Sequence, residues 1–291
     1  MDTILNLHDL ICKRGDFQLG PLSWQLPTGL FCCVVGPNGA GKTSLLQALM
    51  GLLQVRGGSW DIEGARINPR QGAWKENIGY AFDGQIHHEK LSVADNLELH
   101  AGLRRQWDKE LARELVSSFH LDTKQIVATL SRGQRQALSL ILALAHRPRL
   151  LLLDEVTNGM DSLVRKAWNE IIFREMAASD MSVLMATHLM ADVANLADKL
   201  IFVQAGRIVA DVDKDTLVET WRQISCRLAG TLSELPGTKK WEKSGDSLRF
   251  ISSRAAEDLQ TLKGLGASHM ESRPLSLDEI CFYTLEGYRH V

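Results

Sequence analysis

The run Gly36-Pro37-Asn38-Gly39-Ala40-Gly41-Lys42-Thr43 constrains this chain more than any other feature. It fills the pattern G-x-x-x-x-G-K-[ST], follows an apolar run at 31–35 and opens a helical pattern at 43–53. Strand, loop and helix in that order are the setting in which the pattern binds phosphate. Gly39 and Gly41 let the backbone turn so that successive N–H groups point inward. The positive end of the following helix faces the same hollow. Lys42 adds a cation for the phosphates, and the Thr43 hydroxyl is placed to hold Mg²⁺. Residues 36–44, ending in Ser44, are therefore the expected contacts of a nucleoside triphosphate with its Mg²⁺. A glycine-rich turn that binds nothing would not require every constrained position to be filled.

A second constellation lies downstream. Residues 150–153 are all leucine and end in Asp154-Glu155. A buried strand that finishes in two carboxylates exposes them at its C-terminal end, beside the loop. Asp154 can then hold Mg²⁺, and Glu155 can polarise the water that attacks the γ-phosphate.

The rest of the pattern supports a fold class. Near-continuous apolar runs at 31–35, 150–153, 183–186 and 200–203 read as buried parallel strands. Helical periods at 94–103, 109–119, 132–145 and 162–177 alternate with them, which argues for an α/β sheet. Runs at 4–7, 17–19 and 22–26 read as antiparallel strands, and 200–203 with 207–209 flank Gly206 as a hairpin. The pattern changes after about 211. A helix at 216–222 leads into short runs punctuated by glycine, with a strand at 248–251 and helices at 255–262 and 277–285. The expected division is 1–222 for the nucleotide-binding part, with a helical subdomain at about 84–147, and 223–291 for a small α+β appendage.

Composition narrows the class. A chain of 291 residues with a formal net charge of −2 has no basic excess, so no nucleic-acid partner is expected. Its five cysteines lack C-x-x-C spacing and read as small buried apolar residues in a reducing compartment. No apolar stretch reaches spanning length, and the start lacks the basic and apolar regions of a secretion signal. A cytoplasmic location is expected. His87-His88 lacks spaced partners for a metal and reads as solvated loop.

The segment Leu130-Ser131-Arg132-Gly133-Gln134 resembles the L-S-G-G-Q signature of the ABC ATPase family, about twenty residues ahead of Asp154. Ser131 would cap a helix whose free N–H groups, from Gly133 onward, form a second anion site. The order of phosphate loop, signature, apolar strand and Asp-Glu is that of the family. What the resemblance implies is an ABC ATPase core with an antiparallel β subdomain and a helical signature subdomain. Two such subunits, the same or related chains, would meet head to tail, each ATP lying between one loop and the opposing Ser131, Gly133 and Gln134. Gly159-Met160-Asp161 would be the D-loop, with Asp161 turned to the partner, and His188 the switch histidine at the γ-phosphate. Asp83 stands where the family has a glutamine and could coordinate Mg²⁺, with Gln85 as the alternative. Phe17 is the candidate for stacking on adenine, because Lys13 or Arg14 occupies the usual tyrosine position.

The resemblance also implies work. Family members move a partner through ATP-driven closure, so a transporter reading requires a separate membrane permease docked on the helical region at 84–130. The chain would then lie against the inner face of the cell membrane. The segment from Arg273 to Phe282 looks like the ending of bacterial ATPase subunits of drug, antibiotic-peptide and polysaccharide exporters, which implies export. Read from the residues alone, it is a helix with a Ser276–Glu279 capping box. The alternative is an ABC-type ATPase of a non-transport protein or nucleic-acid complex, against which stands the lack of a coiled-coil insertion, zinc cysteines, second cassette or basic patch.

Overall fold

The computed structural model describes residues 2–82, 87–158, 160–230, 232–236 and 238–286. The chain divides between Ala210 and Asp211 into two compact units.

In the first unit, β1 (Thr3–Arg14), β2 (Phe17–Pro27) and β3 (Phe31–Val35) lead into α1 (Lys42–Leu49). Next come β4 (Gln54–Ile62), β5 (Ala65–Arg66), β6 (Ile78–Phe82), α2 (Val93–Leu103) and α3 (Lys109–Ser118). The unit continues through α4 (Arg132–Leu144), β7 (Leu150–Asp154), α5 (Ser162–Ser179), β8 (Ser182–Ala186) and α6 (Met190–Leu196). It closes with β9 (Lys199–Gln204) and the start of β10 (Arg207–Asp213).

Two sheets result. One is ordered β10-β9-β3-β8-β7-β6, and its five strands from β9 to β6 run parallel. Every residue of β3, β7 and β8 is buried, as expected of strands covered on both faces. The register sets Phe82 beside Asp154 and Asp154 beside Ala186, so three strand ends converge on one edge. The other sheet, β2-β1-β4-β5, is antiparallel. One continuous core joins the sheets: Leu5, Leu22 and Trp60 share it with Leu45 and Leu49 of α1 and with Leu152. Each such side chain contributes roughly 1.5–3 kcal/mol when fully buried, and together they fix α1 relative to both sheets.

In the second unit, α7 (Lys214–Thr220) precedes β11 (Arg222–Arg227), β12 (Lys239–Ser244) and β13 (Ser247–Ser252). These are followed by α8 (Ala255–Gly264), β14 (Ser268–Pro274) and α9 (Leu277–Glu286). The antiparallel order is β12-β13-β11-β14, over a core of Ile224, Cys226, Leu248, Phe250 and Leu262. The division falls ahead of α7 instead of behind it, at 210/211 and not 222/223, because α7 packs on α9.

The structure differs from the sequence expectation in other places. The first helix stops at Leu49 and not near 53, because Gly51 turns left-handed at φ 66° and the chain enters β4. The strands β4, β11, β12 and β14 and the short helix α6 carry too weak an apolar period to be read. The His87-His88 expectation needs correction. His88 is exposed, but His87 is buried at 7 % exposure, and burial holds its imidazole below the ordinary value. Asn96 draws this segment inward: its Oδ1 accepts from the His88 N–H at 2.7 Å, and its Nδ2 donates to the His88 carbonyl at 3.1 Å.

Candidate functional site

β3 delivers Gly36 to a spot with no room for a side chain: a Cβ there would lie 2.2 Å from the Val203 carbonyl oxygen. Gly39 and Gly41 adopt φ of 78° and 112°, a region that favours glycine. The loop then folds over Lys42, whose Nζ donates to the carbonyls of Gly36 at 2.8 Å and Pro37 at 3.2 Å. Lys42 is 7 % exposed, and burial pulls its ammonium below the ordinary range against the opposing pull of Glu155 and Asp154. The first turn of α1 begins at this point, so its N–H groups lack intrahelical partners and face the hollow.

Asp154 closes the site from below. The Thr43 hydroxyl donates to Asp154 Oδ1 at 3.0 Å. Burial raises the Asp154 carboxyl from 3.8 to about 6, against the lowering pull of Thr43 and Lys42. A buried carboxylate that resists ionisation beside a hydroxyl is a hard-oxygen pair short of positive charge, and such a pair fits Mg²⁺. Among the described residues no group of three or more His, Cys, Asp or Glu could hold a metal by itself.

Glu155 sits where β7 breaks off, with a left-handed φ of 55°, and its N–H donates to the Ala186 carbonyl at 2.9 Å. This turn throws its side chain over the loop. Its Oε2 lies 2.7 Å from His188 Nδ1 and accepts from Asn158 Nδ2 at 3.0 Å. A carboxylate can only accept, so Nδ1 carries the hydrogen.

A cavity of about 570 Å³ lies between the loop and Glu155, within the range of small-molecule sites. Asn38, Gly39 and residues 41–44 line it, with Glu155 at one end and Arg14 and Phe17 at another. The Phe17 ring tip also bears on the loop: a Cβ at Gly41 would lie 3.0 Å from it, and one at Gly206 3.2 Å.

Other expected residues stand apart from this cavity. Ser131 caps α4 in a reciprocal box, accepting from Gln134 N at 3.2 Å while its own N–H donates to Gln134 Oε1 at 2.9 Å. Gly133 has open space on its Cβ side. Asp161 caps α5, accepting from Leu163 N and Val164 N at 2.9 Å each. None of these lines the cavity formed by the phosphate loop. Asp83, Gln85 and Gly159 lie outside the described residues. The sequence reading missed Asn158 and Gln136. The only signal for Asn158 was its place three residues after Glu155, within reach of one turn.

A parallel sheet ending in a phosphate loop and an Asp-Glu pair, flanked by an antiparallel sheet and a serine-capped helix, defines a cassette-type P-loop ATPase. The ABC transporter family matches residues 19–158. An uncharacterized ABC transporter ATP-binding protein of Bacillus subtilis, YdbJ, is 33 % identical over 72 % of this chain and 70 % of its own. The Nod factor export ATP-binding protein I of a Rhizobium strain is 27 % identical over 91 % of each chain. The aliphatic sulfonates import ATP-binding protein SsuB 2 of Agrobacterium fabrum is 32 % identical over 68 % of this chain and 75 % of its own. A solved ATP-binding subunit of an ABC transporter shares the fold at a TM-score of 0.67 and 24 % identity, over 74 % of this chain and 92 % of its own. The chain belongs to the ABC transporter ATP-binding family and is an ATP-hydrolysing nucleotide-binding protein of that class. Its relatives include ATP-binding subunits of both importers and exporters.

Proposed function

We propose that this chain hydrolyses Mg²⁺-ATP at the 36–44 loop and couples hydrolysis to export through a separate membrane permease. The observation that carries the hydrolytic part is the Glu155–His188 contact of 2.7 Å at the rim of the cavity holding Lys42 and Thr43. Lys42 and the loop amides hold the β- and γ-phosphates. Thr43 and Asp154 would hold Mg²⁺, which supplies charge neutralisation at the phosphates. Glu155 orients and deprotonates the attacking water, and His188 fixes the Glu155 carboxylate and reaches the γ-phosphate once water or substrate displaces their contact. Phe17 stacks on the base. Asp83 is assigned to the metal on its sequence position alone.

Ser131, Gly133 and Gln134 do not line their own chain's cavity, which supports a second subunit, identical or related, that brings its own loop to them. Asp161 belongs to that interface. Export is supported by the reach of the relatives: the Nod factor exporter subunit aligns over 91 % of this chain and so extends into the second unit. The sulfonate and sulfate/thiosulfate importer subunits align over 68 % and 81 %. An apolar groove of about 490 Å³ between α2 and α3, lined by Leu97, Ala101, Trp107 and Val116, offers the permease a docking face. The nucleotide-binding part and the small appendage are separate domains, and the protein lies in the cytoplasm against the inner membrane face.

Purification from a detergent extract of the source cells tests the assignment. The expected result is a stoichiometric integral membrane protein, and inside-out vesicles of that complex should accumulate cargo only with ATP. Co-purification with a soluble scaffold, ribosomes or DNA would overturn it in favour of the non-transport alternative.

A further inference from the structure

The turn from Glu155 to Asn158 is anchored on two sides by buried polar groups. The Thr157 hydroxyl donates to Asp192 Oδ2 at 2.6 Å, and both residues are 1 % exposed or less. On the other side, Gln136 of α4 is 6 % exposed, and its Nε2 donates to the Asn158 carbonyl at 2.8 Å. A carbonyl only accepts, so the amide orientation of Gln136 is forced. Asn158 in turn donates through Nδ2 to Glu155 Oε2 at 3.0 Å, and its N–H closes the turn on the Glu155 carbonyl at 3.3 Å. A path of two hydrogen bonds thus runs from the Ser131-capped helix to the candidate base of the same chain. Gln136 stands five residues after the cap, about one and a half helical turns in.

We propose that Asn158 is a positioning residue for hydrolysis, steering the Glu155 carboxylate, and that Gln136 couples that orientation to the placement of α4. The inference rests on the assignment of Glu155 as the base. The physical reason is that Glu155 leaves a strand end in a left-handed conformation, and among the described residues its carboxylate is otherwise tied only to the half-exposed His188. An amide locked through its own carbonyl is the rigid member of this cluster. Through these two hydrogen bonds a shift of α4 would carry Asn158, and with it the Glu155 carboxylate.

The test uses two near-isosteric substitutions in the full chain. Asn158→Asp sets an acceptor against the Glu155 carboxylate. Gln136→Glu sets an acceptor against the Asn158 carbonyl. Misplacing a catalytic group by about 1 Å costs on the order of 100-fold, so Asn158→Asp should lower kcat by roughly that factor, and Gln136→Glu by about tenfold. KM for ATP should stay within about twofold in both, which a merely structural defect would not preserve. In a Glu155→Gln background, neither change should lower the residual rate further. Parental kcat in both single variants overturns the positioning role, and so does an equal fold-loss in the two backgrounds. If Glu155→Gln itself keeps parental kcat, the base assignment fails instead. Thermal melting checks folding, and Asn158→Ala replaces Asn158→Asp under the same criteria if the latter does not fold.

Discussion

The two ends of the site are built differently. At the phosphate end, Lys42 and Asp154 are 7 % and 5 % exposed, and each is held by hydrogen bonds within the chain. At the water end, the side chains of Glu155 and His188 are 21 % and 54 % exposed. Burial strengthens electrostatics and fixes geometry before substrate arrives, which suits groups that must grip an anion and the cation beside it. The water end is a contact that solvent can compete for, which suits groups that must exchange partners during turnover. The difference separates binding from chemistry, and substitution should expose it. Glu155→Gln keeps shape and hydrogen-bonding capacity but removes the base, so kcat should fall on the order of 1000-fold while ATP affinity stays near the parent. The substituted protein should accumulate ATP-bound dimers on size-exclusion chromatography. A large loss of affinity would show that the two ends are one cooperative unit and break the comparison.

The phosphate end makes its own prediction, in pH. Asp154 sits at about 6 in the folded chain against an ordinary 3.8. Between those values the folded chain binds a proton that the unfolded chain has released. Stability without nucleotide or Mg²⁺ therefore falls as pH rises from 4 through 6, and the loss is complete above the folded value. The two-unit difference corresponds to about 3 kcal/mol. Asp154→Asn keeps the Oδ1 acceptor for Thr43 but carries no charge. It should flatten that slope and raise the Tm of the nucleotide-free protein at pH 7.5, while losing Mg²⁺-dependent ATPase activity. An unchanged melting profile from pH 4 to 8 would mean that Asp154 is better solvated than its burial indicates.

What the residues disclosed follows the same physics. The 36–43 loop and the 150–155 strand were legible because a phosphate nest and a doubly covered strand each demand particular residue types at fixed spacing. β3, β7 and β8 could be read from uniform apolarity alone. β14 could not: its sequence Ser-His-Met-Glu-Ser-Arg-Pro is exposed at all but one position, and its pairing with β11 rests on backbone hydrogen bonds that any sequence can make. His87 was misread because its burial depends on the Asn96 amide nine positions away, which no local period reveals. Asn158 escaped because what holds it is Gln136, distant in sequence and brought to it by the fold.

The smallest predicted effect concerns Phe17, which touches both the comparison and the base. Its ring lines the cavity, yet its tip also bears on Gly41 and Gly206, so two roles compete. If the ring stacks on adenine, Phe17→Ala removes an interaction of about 1 kcal/mol, and ATP affinity should fall about fivefold with kcat unchanged. Inorganic tripolyphosphate, which lacks a base, should then bind both proteins alike. If the ring instead braces the glycines, removing it loosens the loop, and tripolyphosphate and ATP should weaken together. Titration of both ligands against the parent and Phe17→Ala separates the two. Stacking is the expected outcome, because Gly39 and Gly41 lie on a loop already fixed by the Lys42 bonds to Gly36 and Pro37, so the phosphate end does not need the ring to hold its shape.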